Sequence, residues 1–461
     1  MLANTDMESV FDVGVWHHTM NTLRKLIRMA IAITVIAAGR PCTNAQEQKA
    51  SAHLPNPAAR SIESLNIPGG DASLPPLSDS AINANSPFRQ ALWHHGAALR
   101  LINTMRYVQN TLQTPVSADQ QVYVGQHPFE GEMVNPILTW DLRQAGLKHA
   151  QLDLSGVWQW VSWEPAGPKA FGLWTLYLYK EFGLDRVEIK AGYNSNDIEF
   201  VGMQVGGSTA SGVQGVYAVL PYELGMAFFP LPAPQFNLKL NAPRRTYLKT
   251  GLQRSLDATG GPATEARNHT GLRFAPRGDK LLTVGEVGFR RPSSGSESAI
   301  WFRAGYLHNS TRYLNFANGR HEPGNHAAFA LMDAQLTRSD VEHPERGLYI
   351  GASAMTAASH FNAYDRYYEA RLYTFAPFAS RPRDVASLVS TYTGFSKSLT
   401  DSLVANGSCV WRNSASLTAS YNFHLAPGNY LSVGLNYVHG PAVKPRVDDA
   451  LTFAAVYTVF F

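Results

Sequence analysis

From Ala97 onward the chain alternates. Segments of roughly ten residues switch between apolar and polar side chains at every step and are bounded by Gly, Pro, Asn or Asp. This is the period-two signature of strands with two unlike faces. In one such stretch Leu417, Ala419, Tyr421, Phe423 and Leu425 interleave with Thr418, Ser420, Asn422 and His424. Val187, Ile189, Ala191 and Tyr193 interleave with Glu188, Lys190 and Gly192, and Leu138, Trp140 and Leu142 with Thr139, Asp141 and Arg143. Ile300, Phe302, Ala304 and Tyr306 flank Arg303, and Ala370 and Leu372 flank Glu369 and Arg371. Within each of these segments the charges keep to one parity, so one face is free of charge. The chain ends on the same pattern, with Leu451, Phe453, Ala455, Tyr457, Val459 and Phe461 forming an apolar set.

Two kinds of fold accept such strands. A soluble sandwich buries the apolar face, and a membrane barrel turns it to lipid. Segmentation gives seventeen candidate strands between Ala97 and Phe461, the weakest being Gly271–Phe274; without it about sixteen remain, an even number that returns both ends of a barrel to one rim. So many strands in one stretch without an interior linker argue against stacked sandwiches. Aromatics near segment ends (Trp158, Trp160 and Trp163; Tyr177 and Tyr179; Tyr367 and Tyr368; Phe460 and Phe461) suit girdles at two membrane interfaces. In hydrocarbon every backbone N–H and C=O needs a partner, so strands span only as a closed barrel. A terminal strand that pairs with the first then explains why the chain stops on Phe461. The expected fold is all-β, a transmembrane antiparallel β-barrel of about sixteen strands.

The beginning of the chain points to export. Arg24, Lys25 and Arg28 precede an apolar run from Met29 to Gly39, and Thr43-Asn44-Ala45 forms a small-residue cleavage site. Residues 1–45 therefore read as a signal peptide, with Met20 as an alternative start, and the apolar run is too short to span a bilayer. Of the two cysteines, Cys42 and Cys409, only the second survives cleavage, so no internal disulfide is expected. Residues 46–90 are rich in Pro, Ser, Asn and Ala and read as a flexible periplasmic segment; residues 91–461 form the barrel domain. Among them a short helix is expected near Phe88–Leu99. A net charge of +4 without long charge runs gives no nucleic-acid footprint.

Several segments, in this order, carry a resemblance to a known family: LTWDL (138–142), VEIKAGYNSNDIEF (187–200), PQFNLKLNAPRRTYLKTGL (234–252), GLRFAPRGDKLLTVGEVGFR (271–290), RGLYIGASA (346–354), FASRPRDVASLVSTY (378–392) and VDDALTFAAVYTVFF (447–461). Over most of Ala91–Phe461 the chain resembles the carbohydrate-selective porins of bacterial outer membranes, the OprB type. The resemblance implies a sixteen-stranded barrel with loops folded inward to narrow the pore. It also implies sugars as permeating solutes, outer-membrane lipid as surroundings, and Phe461 as the sorting signal read by the barrel assembly machinery. The sequence leaves open whether barrels assemble as homo-trimers. Two positions depart from the family: SPFRQALWHHG replaces its usual Trp-Gly-Gly opening, and Arg381-Pro382-Arg383-Asp384 replaces an acidic pair.

Weak, reversible sugar binding calls for charged or amide groups facing hydroxyls, with affinity low enough for release. Asn196, Asp197 and Glu199 open the longest gap between strands, Asn196–Gln235, where the family pattern matches, and are the leading candidates. Asp141, Arg143, Asp153, Glu188, Lys190, Lys249, Arg303, Glu369 and Arg371 share the lumen parity, as pore-lining groups or as wall residues that only pair with one another. The stretch His321-Glu322-Pro323-Gly324-Asn325-His326 is no metal site, because Pro and Gly break the helix such a motif needs. No catalytic residue, cofactor or metal is expected. A general diffusion porin and, less favoured, an outer-membrane barrel enzyme are the alternatives.

Overall fold

The computed structural model describes residues 62–66, 74–83, 86–167, 170–183, 186–201 and 219–461, all within the unit Asn56–Phe461. The expected signal peptide, residues 1–45, lies outside them. A short helix, α1 (Pro87–His94), precedes the first strand and stops just before Gly96, whose positive φ of 71° turns the chain into the wall. The first eight strands are β1 (Ala97–Asn110), β2 (Phe129–Asp141), β3 (Ala150–Val161), β4 (Ala170–Phe182), β5 (Val187–Asn194), β6 (Ala233–Asn241), β7 (Thr246–Arg254) and β8 (Leu281–Arg291). The remaining eight are β9 (Ile300–Leu314), β10 (His321–Gln335), β11 (Gly347–Ala357), β12 (Tyr364–Phe375), β13 (Val385–Phe395), β14 (Asn413–Ala426), β15 (Asn429–His439) and β16 (Ala450–Phe460). Among the described residues four more short helices lie in loops: α2 (Asp197–Phe200), α3 (Val219–Glu223), α4 (Gly261–Arg267) and α5 (Lys397–Ala405).

Each strand pairs antiparallel with its sequence neighbours, and β1 pairs with β16 to close a sixteen-stranded barrel. The seam runs in register from Ile102 opposite Phe460 to Asn110 opposite Thr452. Phe461 extends it: its N–H donates to the Leu101 carbonyl at 2.8 Å and its own carbonyl accepts from Leu101 at 3.2 Å. Gly271–Phe274, the weakest candidate segment, is not a strand. His321 and His326 lie on strand β10, whose ladder slips between Pro323 and Asn325.

The apolar parity points outward. Leu154, Leu178, Leu248, Phe302, Leu388 and Leu435 are all exposed on the barrel's outer surface, the arrangement lipid requires. Charged side chains of outward parity, such as Glu132, Lys180, Arg312 and Arg366, sit within the last few residues of their strands, where they reach the interface. The aromatic pairs divide. Trp158 and Tyr368 face outward, whereas Tyr177, Tyr367 and Phe460 are buried on the inner side. Adjacent aromatics on one strand necessarily point to opposite faces, so only part of the expected girdle is real.

The wall is low where β5, β6 and β7 run for only eight or nine residues. The connection carrying α4 fills this notch, with the Thr270 carbonyl accepting from Leu173 N–H at 3.0 Å and the Leu272 carbonyl from the Tyr193 hydroxyl at 3.0 Å. Residues 62–66 and 74–83, part of the segment expected to be flexible or loosely docked, make contacts with the barrel wall. Their contacts run mostly from wall side chains to backbone carbonyls, which composition does not reveal.

Candidate functional site

The segment leaving β5 folds back into the barrel. Its first turn is α2, and five successive strands each offer an inward polar side chain beneath it. Lys190 of β5 pairs with the Glu199 carboxylate, both side chains being buried. From β6, Asn237 Nδ2 donates to Asn196 Oδ1 at 2.7 Å. Lys249 of β7 donates to the Glu199 carbonyl and reaches Glu286 of β8 at 3.3 Å. Arg303 of β9 donates to the Phe200 carbonyl at 3.2 Å while its guanidinium lies 3.9 Å from the centre of the Trp301 ring. Trp301 Nε1 in turn donates to the Tyr247 hydroxyl at 3.0 Å, and that hydroxyl to Glu286 at 2.8 Å. Three cations thus gather where α2 presents one carboxylate and its last carbonyls.

The returning half of the loop is fixed by a different force. Leu220, Leu224 and Met226 pack with Phe200 against Leu282, Val284, Leu307 and Phe329 of the inner wall. Those wall residues have lumen parity yet are apolar, because the loop covers them. Glu223 accepts from the Tyr364 N–H of β12 at 3.1 Å, and Asn309 Nδ2 of β9 donates to the Leu224 carbonyl at 2.5 Å. The loop is therefore clamped by polar contacts along β5 to β9 and by apolar packing along β8 to β10, overlapping parts of the same wall.

The sequence candidates fall into three groups. Asn196, Asp197, Glu199, Lys190, Lys249 and Arg303 converge at the foot of the loop, all buried. Glu369 and Arg371 of β12 lie two strands from Asp333 of β10: Arg371 bonds Glu369 at 2.6 Å, Ser353 of β11 at 2.6 Å and Asp333 at 2.9 Å. Glu188 holds Lys239 and Asn241, each at 2.7 Å, near the short-turn rim. Asp141 and Arg143 differ from expectation. The carboxylate of Asp141 caps the turn after β2, accepting from Arg143 N at 2.9 Å and Nε at 2.6 Å, and the Arg143 side chain is exposed at the rim. Period-two parity does not carry through a 3₁₀ turn, and β2 ends at Asp141. Asp153 is buried against Thr175 on the inner wall.

Asp197 lies on the loop, outside the spanning strands. Its Oδ2 accepts from the Tyr222 hydroxyl at 3.2 Å. Burial pushes its carboxyl up to about 7, with the Glu199 charge adding to the effect, against the Tyr222 hydroxyl and nearby backbone N–H groups that favour ionisation. A carboxyl raised in this way binds its proton more tightly in the anchored loop than in a free one. The anchored form therefore loses stability as pH rises from the ordinary carboxylate range and levels off above the raised value. Conductance is expected to climb and grow noisier as pH rises from about 4 to about 7 and to level off above that, and Asp197→Asn to flatten that profile. An unchanged profile in the variant would reject the assignment.

The family model for carbohydrate-selective porins of the OprB family matches residues 91–461. The chain belongs to that family. It is a family of channels rather than enzymes, and the closed barrel with its apolar outer band is that of an outer-membrane porin. A high-pH structure of Pseudomonas putida OprB superposes with a TM-score of 0.69 at 14% identity, covering 82% of this chain and 97% of the other. A low-pH structure of the same protein gives a TM-score of 0.53 at 13% identity, covering 83% and 99%. No curated protein sequence matches. At such identities the superpositions speak for the fold, and the family match for a sugar-selective porin; the buried anchors of the loop are read from this porin's own side chains.

Sequence reasoning passed over Asn237, Tyr247, Glu286 and Trp301. Glu286 stood in plain alternation between Val284 and Gly288 and was within reach of the parity argument. Tyr222 and Glu223 carry no periodic signal, because they act from an irregular loop.

Proposed function

We propose that this porin passes mono- and small oligosaccharides down their gradient, and that its sugar preference is set by the position of the inserted loop. On this reading Asn196, Asp197, Glu199, Lys190 and Arg303 act at one remove. They hold the loop at a fixed height rather than touch solute, since each is buried at its foot. Glu188, Glu369 and Arg371 pair with neighbouring side chains and hold the inner wall together. The observation that supports this best is the row of polar contacts from four strands, β5, β6, β7 and β9, to one short stretch of loop, with Glu286 of β8 pairing Lys249 between them. Residues 1–45 act as a cleaved signal peptide, and Phe461, paired into the seam with Leu101, suits a terminal sorting signal.

The test reconstitutes the mature chain in lipid vesicles and compares swelling in mono-, di- and trisaccharides with swelling in amino acids of matched size. Sugars are expected to enter faster than matched amino acids, with rates falling from mono- to trisaccharide. Equal rates for equal-sized solutes would leave a general diffusion pore and remove the sugar preference.

A further inference from the structure

Ahead of the region the family model matches lie two described stretches, 62–66 and 74–83, and both sit on the inner wall at the short-turn end. Inward side chains hold them strand by strand. Thr139 of β2 donates to the Leu65 carbonyl at 2.7 Å, and Gln151 of β3 to the same oxygen at 3.1 Å. Arg100 of β1 donates to the Pro75 carbonyl at 2.7 Å. The Ala81 N–H donates to the Phe460 carbonyl of β16 at 2.8 Å. Asp79 reaches further round: its buried carboxylate takes bonds from the Gly428 N–H at 2.9 Å, from the Tyr430 hydroxyl of β15, and from His424 of β14 at 3.1 Å, and pairs with Arg383 at 2.9 Å. The contacts cover an arc from β14 through the seam to β3, six of the sixteen strands.

The seat is shaped for this chain. Gly428, at a positive φ of 70°, lies so close to the segment that a Cβ there would come within 2.4 Å of the Ala81 nitrogen. The two stretches also brace each other, with the Glu63 carboxylate accepting from the Leu77 and Ser78 N–H groups at 2.8 and 2.7 Å. Burial opposes ionisation of Asp79, but the hydroxyl, N–H, histidine and guanidinium around it outweigh burial and hold the carboxyl below its ordinary value. The stretches also approach the constriction. Leu74 and Trp174 both pack on the cluster of Ile102, Ile137 and Phe460; a bulge in β4 places Trp174 inside the barrel, and its Nε1 donates to Ser195 Oγ at 3.3 Å beside the root of the inserted loop.

We propose that these two stretches form an internal strap, fastened at Asp79, that makes a second narrowing at the short-turn mouth, in series with the inserted loop. A solute leaving the loop constriction then meets a mouth whose inner wall is covered over part of its circumference. The inference rests on the reading of the chain as a pore but not on its sugar preference, so the two fail separately. The experiment measures single-channel conductance of the full mature chain, of a variant lacking residues 62–83, and of Asp79→Ala and Arg383→Ala. Heat-modifiable gel migration reports barrel formation in each. Loss of the strap is expected to raise conductance about twofold, and the two substitutions to raise it less and add flicker, while the ratio of sugar to amino-acid swelling rates stays above one. A deletion variant that forms a barrel and conducts like the full chain overturns the strap. If the deletion forms no barrel, Asp79→Ala and Arg383→Ala decide, and conductance equal to that of the full chain in both overturns it.

Discussion

Glu199→Ala is expected to loosen the foot of the inserted loop and weaken discrimination between mono- and trisaccharides, with open-channel conductance rising above that of the parent. The reason is local. Glu199 offers Lys190 its carboxylate and Lys249 its carbonyl, and the side chains of both lysines are 6% exposed. Removing the carboxylate leaves Lys190 without its paired anion, a loss of about 3 to 5 kcal/mol when a buried pair is broken from one side. The Asn237–Asn196 bond and the bonds from Lys249 and Arg303 to the backbone carbonyls of residues 199 and 200 remain, so the foot of the loop loosens while these weaker ties still tether it. The apolar grip of Leu220, Leu224 and Met226 stays, so the loop should swing from its returning half rather than leave the barrel. Replacing both partners, Lys190→Met with Glu199→Leu, removes the charge and the need for it together and should restore much of the discrimination. Single-channel conductance and vesicle swelling read both effects; a Glu199→Ala channel indistinguishable from the parent would dismiss the anchoring role.

The same contacts show what the sequence could disclose. Alternation gave the strands, their number and the outward apolar face, because lipid on one side and water on the other leave no other pattern. It failed where that premise failed. Leu282, Val284, Leu307 and Phe329 are apolar at lumen parity because the loop covers them, and no local signal announces a cover that comes from elsewhere in the chain. It failed at the turn that takes Arg143 out to the rim, and at the bulge that turns Trp174 inward. Asn196, Asp197 and Glu199 were legible as special through their place at the head of a long gap. Their burial was not, since a carboxylate facing sugar and a carboxylate facing a lysine beneath it have the same spelling. The contacts of stretches 62–66 and 74–83 were not legible for a related reason: the side chains that meet them belong to the wall, in Thr139, Gln151 and Arg100.

Arg371→Ala should cost the barrel more than any other single change on the inner wall, and should do so without a comparable change in sugar preference. Arg371 lies between two carboxylates, bonding Glu369 on its own strand and Asp333 two strands away, and all three side chains are largely buried. Tyr367 and Tyr373 add hydroxyl bonds to Glu369 and Asp333 at 2.5 and 3.0 Å, so the cluster spans β10 to β12. Space for it depends on Gly351 of β11, where a Cβ would stand 2.4 Å from Asp333 Oδ1 and 2.7 Å from two guanidinium nitrogens. Without the arginine two like charges face each other in a site with little water, a loss of about 3 to 5 kcal/mol. Lysine keeps the charge but lacks the planar fork that serves both carboxylates at once, so Arg371→Lys should recover only part of it. Urea unfolding of the detergent-solubilised barrel measures the series, and the triple change Arg371→Met, Glu369→Gln, Asp333→Asn should bring stability back near the parent. If the alanine variant unfolds at the parent's midpoint, the cluster does not hold these strands. If it is stable and its sugar discrimination collapses instead, Arg371 belongs to the solute path and not to the wall.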